Sequence, residues 1–245
     1  MLNEQMLCAV RVDEELPRDS YLRTVPAVRH LQAMGELRFE SAVTFLVGEN
    51  GVGKSTLLEG MAVAMGFNAE GGTVNFRFST EDSHSDLHKF LTVSKGVKQR
   101  KDGFFLRAES FYNVATYVDQ FDERTLRSYG GKSLHKQSHG ESFMALVANR
   151  FTGQGIYLLD EPEAALSPSR QMELLCHIHR LVGEGSQFII STHSPILMSY
   201  PHGQVLNLTE QGIQQVSYRD TEHFRLTKQF LSNPEGMCRL LFAEE

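Results

Sequence analysis

The chain has 245 residues, 41% of them hydrophobic and 22% charged, a balance that excludes a disordered or fibrous polymer. A formal net charge of −6 removes any global attraction to nucleic acid or anionic lipid, so such a partner would need a local basic patch. Cys8, Cys176 and Cys238 are far apart and form no CxxC pair, which predicts buried, reduced thiols and a cytoplasmic protein, without a disulfide framework or zinc site.

The amino-terminal residues lack the basic-then-apolar pattern of a secretory signal. No apolar run reaches the roughly 20 residues that cross a bilayer, so membrane insertion is not expected. Residues 7–12 form a short apolar stretch with the composition of a strand. Residues 42–47 are almost continuously apolar and stop at Gly48, as in a parallel strand buried on both faces. A helix is predicted over 55–65, with Leu57, Leu58, Met61 and Met65 on one side. Residues 66–103 are rich in glycine, serine, histidine and charge without clear periodicity, and are read as an insertion. A strand at 104–106, a helix over 110–121 and a polar loop over 129–140 come next. A helix over 142–151 and a second buried strand at 156–159 follow. Ser167 and Pro168 then provide an N-cap and a proline at the first helical position, predicting a helix with Met172, Leu175, Ile178 and Val182 inward. A third strand at 188–190, a helix opened by Ser194 and Pro195, a hairpin from 205–208 and 213–216, and closing helices complete the chain. Strands alternating with helices imply one α/β domain over 1–245, its mostly parallel sheet flanked by helices.

Gly48-Glu49-Asn50-Gly51-Val52-Gly53-Lys54-Ser55 matches the phosphate-binding pattern GxxxxGK[ST] between a predicted strand and a predicted helix. The glycines let consecutive amides face one anion, and the helix amino terminus adds positive potential. Lys54 can reach the β- and γ-phosphates, the Ser55 hydroxyl can ligate Mg²⁺, and Thr56 is a donor for the α-phosphate. Asp160 and Glu161 end an apolar strand, where the ligand crevice of a parallel sheet opens. Asp160 is the candidate metal ligand and Glu161 the candidate base that orients and deprotonates water.

From about residue 44 to residue 195 the chain resembles the ABC-type P-loop ATPases. Glu161-Pro162 followed by Ala164-Ala165-Leu166-Ser167 is similar to the family's Walker B acid and D-loop, and Ser191-Thr192-His193-Ser194 to its switch histidine, His193. Gln137-Ser138-His139-Gly140-Glu141 sits where the family carries its LSGGQ signature, with Ser138 and Gly140 in register. The resemblance implies that these two residues serve the γ-phosphate of an opposite subunit, and hence an ATP-dependent homodimer binding ATP and Mg²⁺. Glu109 stands where the family has its Q-loop glutamine. Gly140-Glu141 and Glu163 resemble the SMC-like and stand-alone prokaryotic branch more than transporter subunits. The leading expectation is an ATPase driving an unidentified protein or nucleic-acid partner, in DNA maintenance or phage defence. The alternatives are the ATP-binding subunit of a membrane transporter and a non-hydrolysing ATP switch. Lys95, Lys98, Arg100 and Lys101 form a local basic cluster, read either as a solvated loop or as a phosphate-tracking patch. Arg29 and Phe39 are candidate adenine contacts.

Overall fold

Two sheets organise the protein in a computed structural model that describes residues 5–13, 15–75, 85–120 and 126–242. The larger contains β3 (Val43–Val47), β5 (Asp102–Arg107), β6 (Gly155–Asp160), β7 (Gln187–Ser191), β8 (Gln204–Leu208) and β9 (Ile213–Gln215). Its order is β5-β6-β7-β3-β8-β9, parallel up to β8, with β9 returning antiparallel as the predicted hairpin. The smaller, antiparallel sheet contains β1 (Leu7–Val12), β2 (Leu37–Arg38) and β4 (Leu91–Lys95) in the order β2-β1-β4.

Because successive side chains leave a strand on opposite faces, each apolar strand of the large sheet feeds two cores. Phe45, Tyr157, Leu159, Phe188 and Ile190 point into one. Leu46, Ile156, Leu158 and Ile189 point into the other. The first core is closed by α3 (Phe111–Asp119), α4 (His139–Arg150), α5 (Pro168–Gly183) and the single turn α6 (Pro195–Met198). The second is closed by α1 (Pro26–Met34), α2 (Lys54–Ala64) and the small sheet. The chain ends in α7 (Glu222–Ser232) and α8 (Pro234–Leu241), whose residues are all at least partly exposed.

Several expectations change. The 66–103 segment, where described, is not irregular: a 3-10 turn at Asp86–Lys89 leads into β4, which pairs along β1, while residues 76–84 lie outside the described chain. β4 alternates apolar and polar residues, Leu91-Thr92-Val93-Ser94, but over only five residues among polar neighbours, too brief a run to stand out from the segment around it. The predicted helix at 110–121 ends at Asp119, and residue 121 lies outside the described chain. α4 starts three residues before the predicted Ser142, because Ser138 and Glu141 form a reciprocal capping box. On α5 Ile178 is buried and Leu175 and Val182 pack half-buried against the first core, as expected, but Met172 faces solvent and the stripe is centred on Gln171, Leu174, Ile178 and Leu181. The stripe is shifted because Gln171 is held inward by bonds to Leu166 O and Ser194 Oγ, which apolar spacing does not reveal. The thiols are reduced but none is buried: Cys8 and Cys238 are partly exposed and Cys176 is exposed on α5.

Candidate functional site

Between β3 and α2 the backbone passes through the left-handed region at three glycines, with φ of 143° at Gly48, 84° at Gly51 and 96° at Gly53. Two of these positions are also closed to any side chain. A Cβ on Gly48 would lie 2.1 Å from Leu208 O, and one on Gly53 would lie 2.3 Å from Val25 Cγ1. The loop is therefore pressed against β8 and the start of α1 while curling over the amino terminus of α2, an arrangement that concentrates amides and positive potential at one point. Lys54 Nζ lies inside the curl, donating to Gly48 O at 2.8 Å and Glu49 O at 2.9 Å. Burial pushes the Lys54 amine down, and the carboxylates of Glu161, Asp160, Glu163 and Glu49 oppose that shift.

The carboxyl ends of β5, β6 and β7 deliver the remaining groups to the same edge. Ser55 Oγ donates to Asp160 Oδ1 at 2.9 Å. Burial pushes the Asp160 carboxyl above the usual carboxylate range, against the pull of Arg107 and the Ser55 hydroxyl. Glu161 is forced into the left-handed region (φ 49°, ψ 51°), a conformation that costs a residue with a side chain on the order of 1–3 kcal/mol. Its amide donates to Ser191 O at 2.9 Å, so the turn that follows β6 is tied to β7. His193 leaves the end of β7 with Nε2 3.5 Å from Glu161 Oε1. Ser55, Asp160 and Glu161 share a cavity of about 190 Å³ with Ala108, Glu109, His139 and Ala164. Among the described residues there is no cluster of three or more histidine, cysteine or acidic groups to cage a metal. A hydroxyl beside one buried carboxylate is nonetheless the hard-oxygen pair that suits Mg²⁺, which keeps waters and substrate phosphates as its other ligands.

The family described as "ABC transporter" matches residues 38–164, just over half of the chain, and the one described as "AAA ATPase domain" matches residues 139–198. The chain belongs to the ABC family of P-loop ATPases. A relative, the cobalt import ATP-binding protein CbiO of Salmonella typhimurium, is 27% identical over 219 residues, covering 78% of this chain and 79% of that one. The cytochrome c biogenesis ATP-binding export protein CcmA of Paracoccus denitrificans is 27% identical over 199 residues, covering 74% and 88%. The solved structure of cbiO1 from Clostridium perfringens, part of the ABC transporter complex cbiONQ, has the same fold, with a TM-score of 0.53, 16% identity and coverage of 97% and 99%.

Within this ABC cassette the candidate residues from Gly48 to Thr56, Asp160, Glu161 and His193 are brought to one edge of the sheet. Ser138 instead lies exposed at the amino end of α4, where its hydroxyl donates to Glu141 Oε2 at 2.7 Å and accepts the Glu141 amide. Gly140 packs beneath the D-loop, and a Cβ there would sit 3.0 Å from Ala165 O. Glu109 projects into solvent with its side chain 86% exposed, 3.7 Å from Arg107 Nη2. Phe39 is fully buried in the second core and so cannot stack on a base, while Arg29 is exposed and bonded to Glu210 O. An aromatic upstream of the phosphate loop has the same local pattern whether it faces a ligand or the core, so the sequence alone does not show that Phe39 belongs to the core. The basic cluster lies away from this edge, just before β5 begins, where Lys95, Lys98 and Arg100 line a cavity of about 380 Å³. Arg100 is engaged there, donating to Met65 O and stacking over Phe67.

Arg107 and His223 are absent from the site as the sequence predicts it, and Glu163, which the resemblance marks only as a feature of the SMC-like branch, has a contact there that the sequence does not show. Arg107, in register with Asp160, reaches Glu59 Oε2 at 2.5 Å through Nη1 and lies 3.5 Å from Asp160 Oδ2 through Nε. Glu163 Oε1 accepts the His193 amide at 2.5 Å, and burial pushes its carboxyl pKa up. His223, the second residue of α7, lies 2.8 Å through Nε2 from His193 Nδ1. An arginine at the end of an apolar strand was the available signal for the first; for His223 the sequence offers none.

Proposed function

We propose that this ABC cassette is a Mg²⁺-dependent ATPase that dimerises around ATP and uses closing and opening to drive a partner. The observation that carries the reading is the convergence of the Ser55–Asp160 pair with Glu161 and His193 beside the phosphate loop. In this reading residues 48–56 hold the triphosphate through their amides, with Lys54 turning from loop carbonyls to phosphate oxygens. Ser55 and Asp160 hold magnesium, which when bound supplies charge neutralisation on the phosphate oxygens. Glu161 orients a water and takes its proton, its side chain aimed by the left-handed turn after β6. His193 faces the γ-phosphate. Ser138 and Gly140, at the exposed amino end of α4, serve the nucleotide of the second copy.

Turnover tests this directly. Glu161→Gln should lower kcat by about 10²–10⁴-fold, as when a general base is lost. ATP binding should persist, and the variant should run as a dimer on sizing with ATP and Mg²⁺. Unchanged turnover would exclude Glu161 as the base, and a wild-type chain that binds ATP without hydrolysing it would leave the switch alternative standing.

For the partner, the names of the relatives favour the transport alternative over DNA maintenance, since CbiO and CcmA are import and export ATP-binding proteins. In that reading the cassette docks on a membrane protein; among the described residues no helix is long and apolar enough to cross a membrane. Co-purification of the Glu161→Gln form with an integral membrane protein supports this. Salt-sensitive DNA binding weakened by Lys98→Ala with Arg100→Ala would favour nucleic acid instead.

A further inference from the structure

The contact between His193 and His223 joins two elements 30 residues apart and brings the rings together edge-on, with centroids 4.8 Å apart. At 2.8 Å the two nitrogens share one proton, so one ring donates and the other accepts. Burial first, and then the Lys54 ammonium, push both imidazoles below the ordinary histidine range, which keeps both rings neutral near pH 7. Direction follows from the far side of His193, where Nε2 faces Glu161 Oε1 at 3.5 Å. A lone pair on Nε2 would oppose the lone pairs of the carboxylate, whereas an N–H is attracted. The proton of His193 therefore sits on Nε2, its Nδ1 accepts, and His223 Nε2 is the donor.

We propose that His223 is a positioning residue for hydrolysis, fixing His193 in the tautomer and orientation that turn an N–H toward Glu161 and the γ-phosphate. The role rests on the ATPase reading above. It also gives α7 a tether at the site. Besides this bond, α7 is anchored near its start, where the buried Thr221 hydroxyl meets Met198 Sδ and the Phe224 ring packs edge-on against Tyr218, while every residue of the helix is at least partly exposed.

Two variants separate the hydrogen bond from the ring. His223→Phe keeps a planar ring but no N–H, whereas His223→Gln places an amide N–H near the position of Nε2. The phenylalanine variant should lose roughly 10- to 100-fold in kcat, as when the outer partner of a functional histidine is removed, with KM for ATP little changed. The glutamine variant should recover most of that loss. Amide exchange across residues 222–232 should be faster in the phenylalanine variant than in the wild type or the glutamine variant. If His223→Phe does not fold, His223→Asn, whose amide reaches only the Nδ1 position, takes its place and should be equally slow. Turnover equal to wild type in the donorless variant, or a glutamine variant as slow as it, overturns the proposal while leaving the ATPase reading intact. A wild-type chain without turnover refutes that reading, and this role with it.

Discussion

Arg107 offers the sharpest test of how the site is held together. Its guanidinium lies between Glu59 and Asp160, whose side chains are each only 7% exposed, while its own is 21% exposed. Replacing it by methionine keeps the aliphatic stem but leaves two carboxylates in a poorly solvated space without their shared cation. Removing one partner of a buried ion pair costs about 3–5 kcal/mol, because the remaining charge is uncompensated. For a domain of this size, with a melting shift of about 2–4 °C per kcal/mol, Arg107→Met should lower Tm by roughly 10 °C at pH 7.5. The loss should shrink on acidification. Without Arg107 the Asp160 carboxyl, already raised by burial, rises further, so the folded state takes up a proton before the unfolded chain does. The variant thus gains stability relative to wild type as pH falls into the carboxylate range. Adding Asp160→Asn removes one stranded charge and should restore about 1–3 kcal/mol, the usual coupling between groups in contact. Thermal unfolding followed by circular dichroism at pH 7.5 and pH 5 reads all three. A drop of under about 3 °C would refute the argument. So would a drop equally large at both pH values, or one that Asp160→Asn fails to relieve.

Gly53→Ala brings a Cβ to within 2.3 Å of Val25 Cγ1 at φ 96°, so the loop must shift or the Val25 side chain must turn aside, with the left-handed backbone strain added to either. It should cost about 1–3 kcal/mol in thermal unfolding and weaken the binding of a fluorescent ATP analogue. Ser138→Ala removes the hydroxyl that accepts the Glu141 amide. It should lower stability by about 1 kcal/mol, and if Ser138 also serves the nucleotide of a second copy, ATPase activity should fall by more than that small loss explains.

The sequence is informative where chemistry forces the composition. Val43–Val47, Gly155–Asp160 and Gln187–Ser191 are buried along their whole length, and strands covered on both faces must be apolar throughout. The phosphate loop is legible for a related reason: its curl needs positive φ at Gly48, Gly51 and Gly53, and those positions are glycine. Legibility ends where the determinant is a single long-range contact. The alternation of β4 spans only five residues and gains its meaning from pairing along β1, and the inward turn of Gln171 depends on Ser194, 23 residues later.

The site divides along the same line. Lys54, Ser55, Asp160 and Glu161 are announced by local patterns because each has to sit at the end of a strand or the start of a helix to act. The groups that aim them are not local. Arg107 meets Glu59 of α2 across the end of the sheet, Glu163 holds the His193 amide, and His223 reaches back from α7. Arg107 and His223 could be exchanged without altering a recognised motif, yet their contacts place them to set the charge or direction of groups that the motifs contain. In the proposed reading the motifs supply the atoms that meet the nucleotide, and this outer layer sets their protonation and aim. For that reason Arg107 and His223, rather than Lys54, are where substitution distinguishes a built site from a set of matching letters.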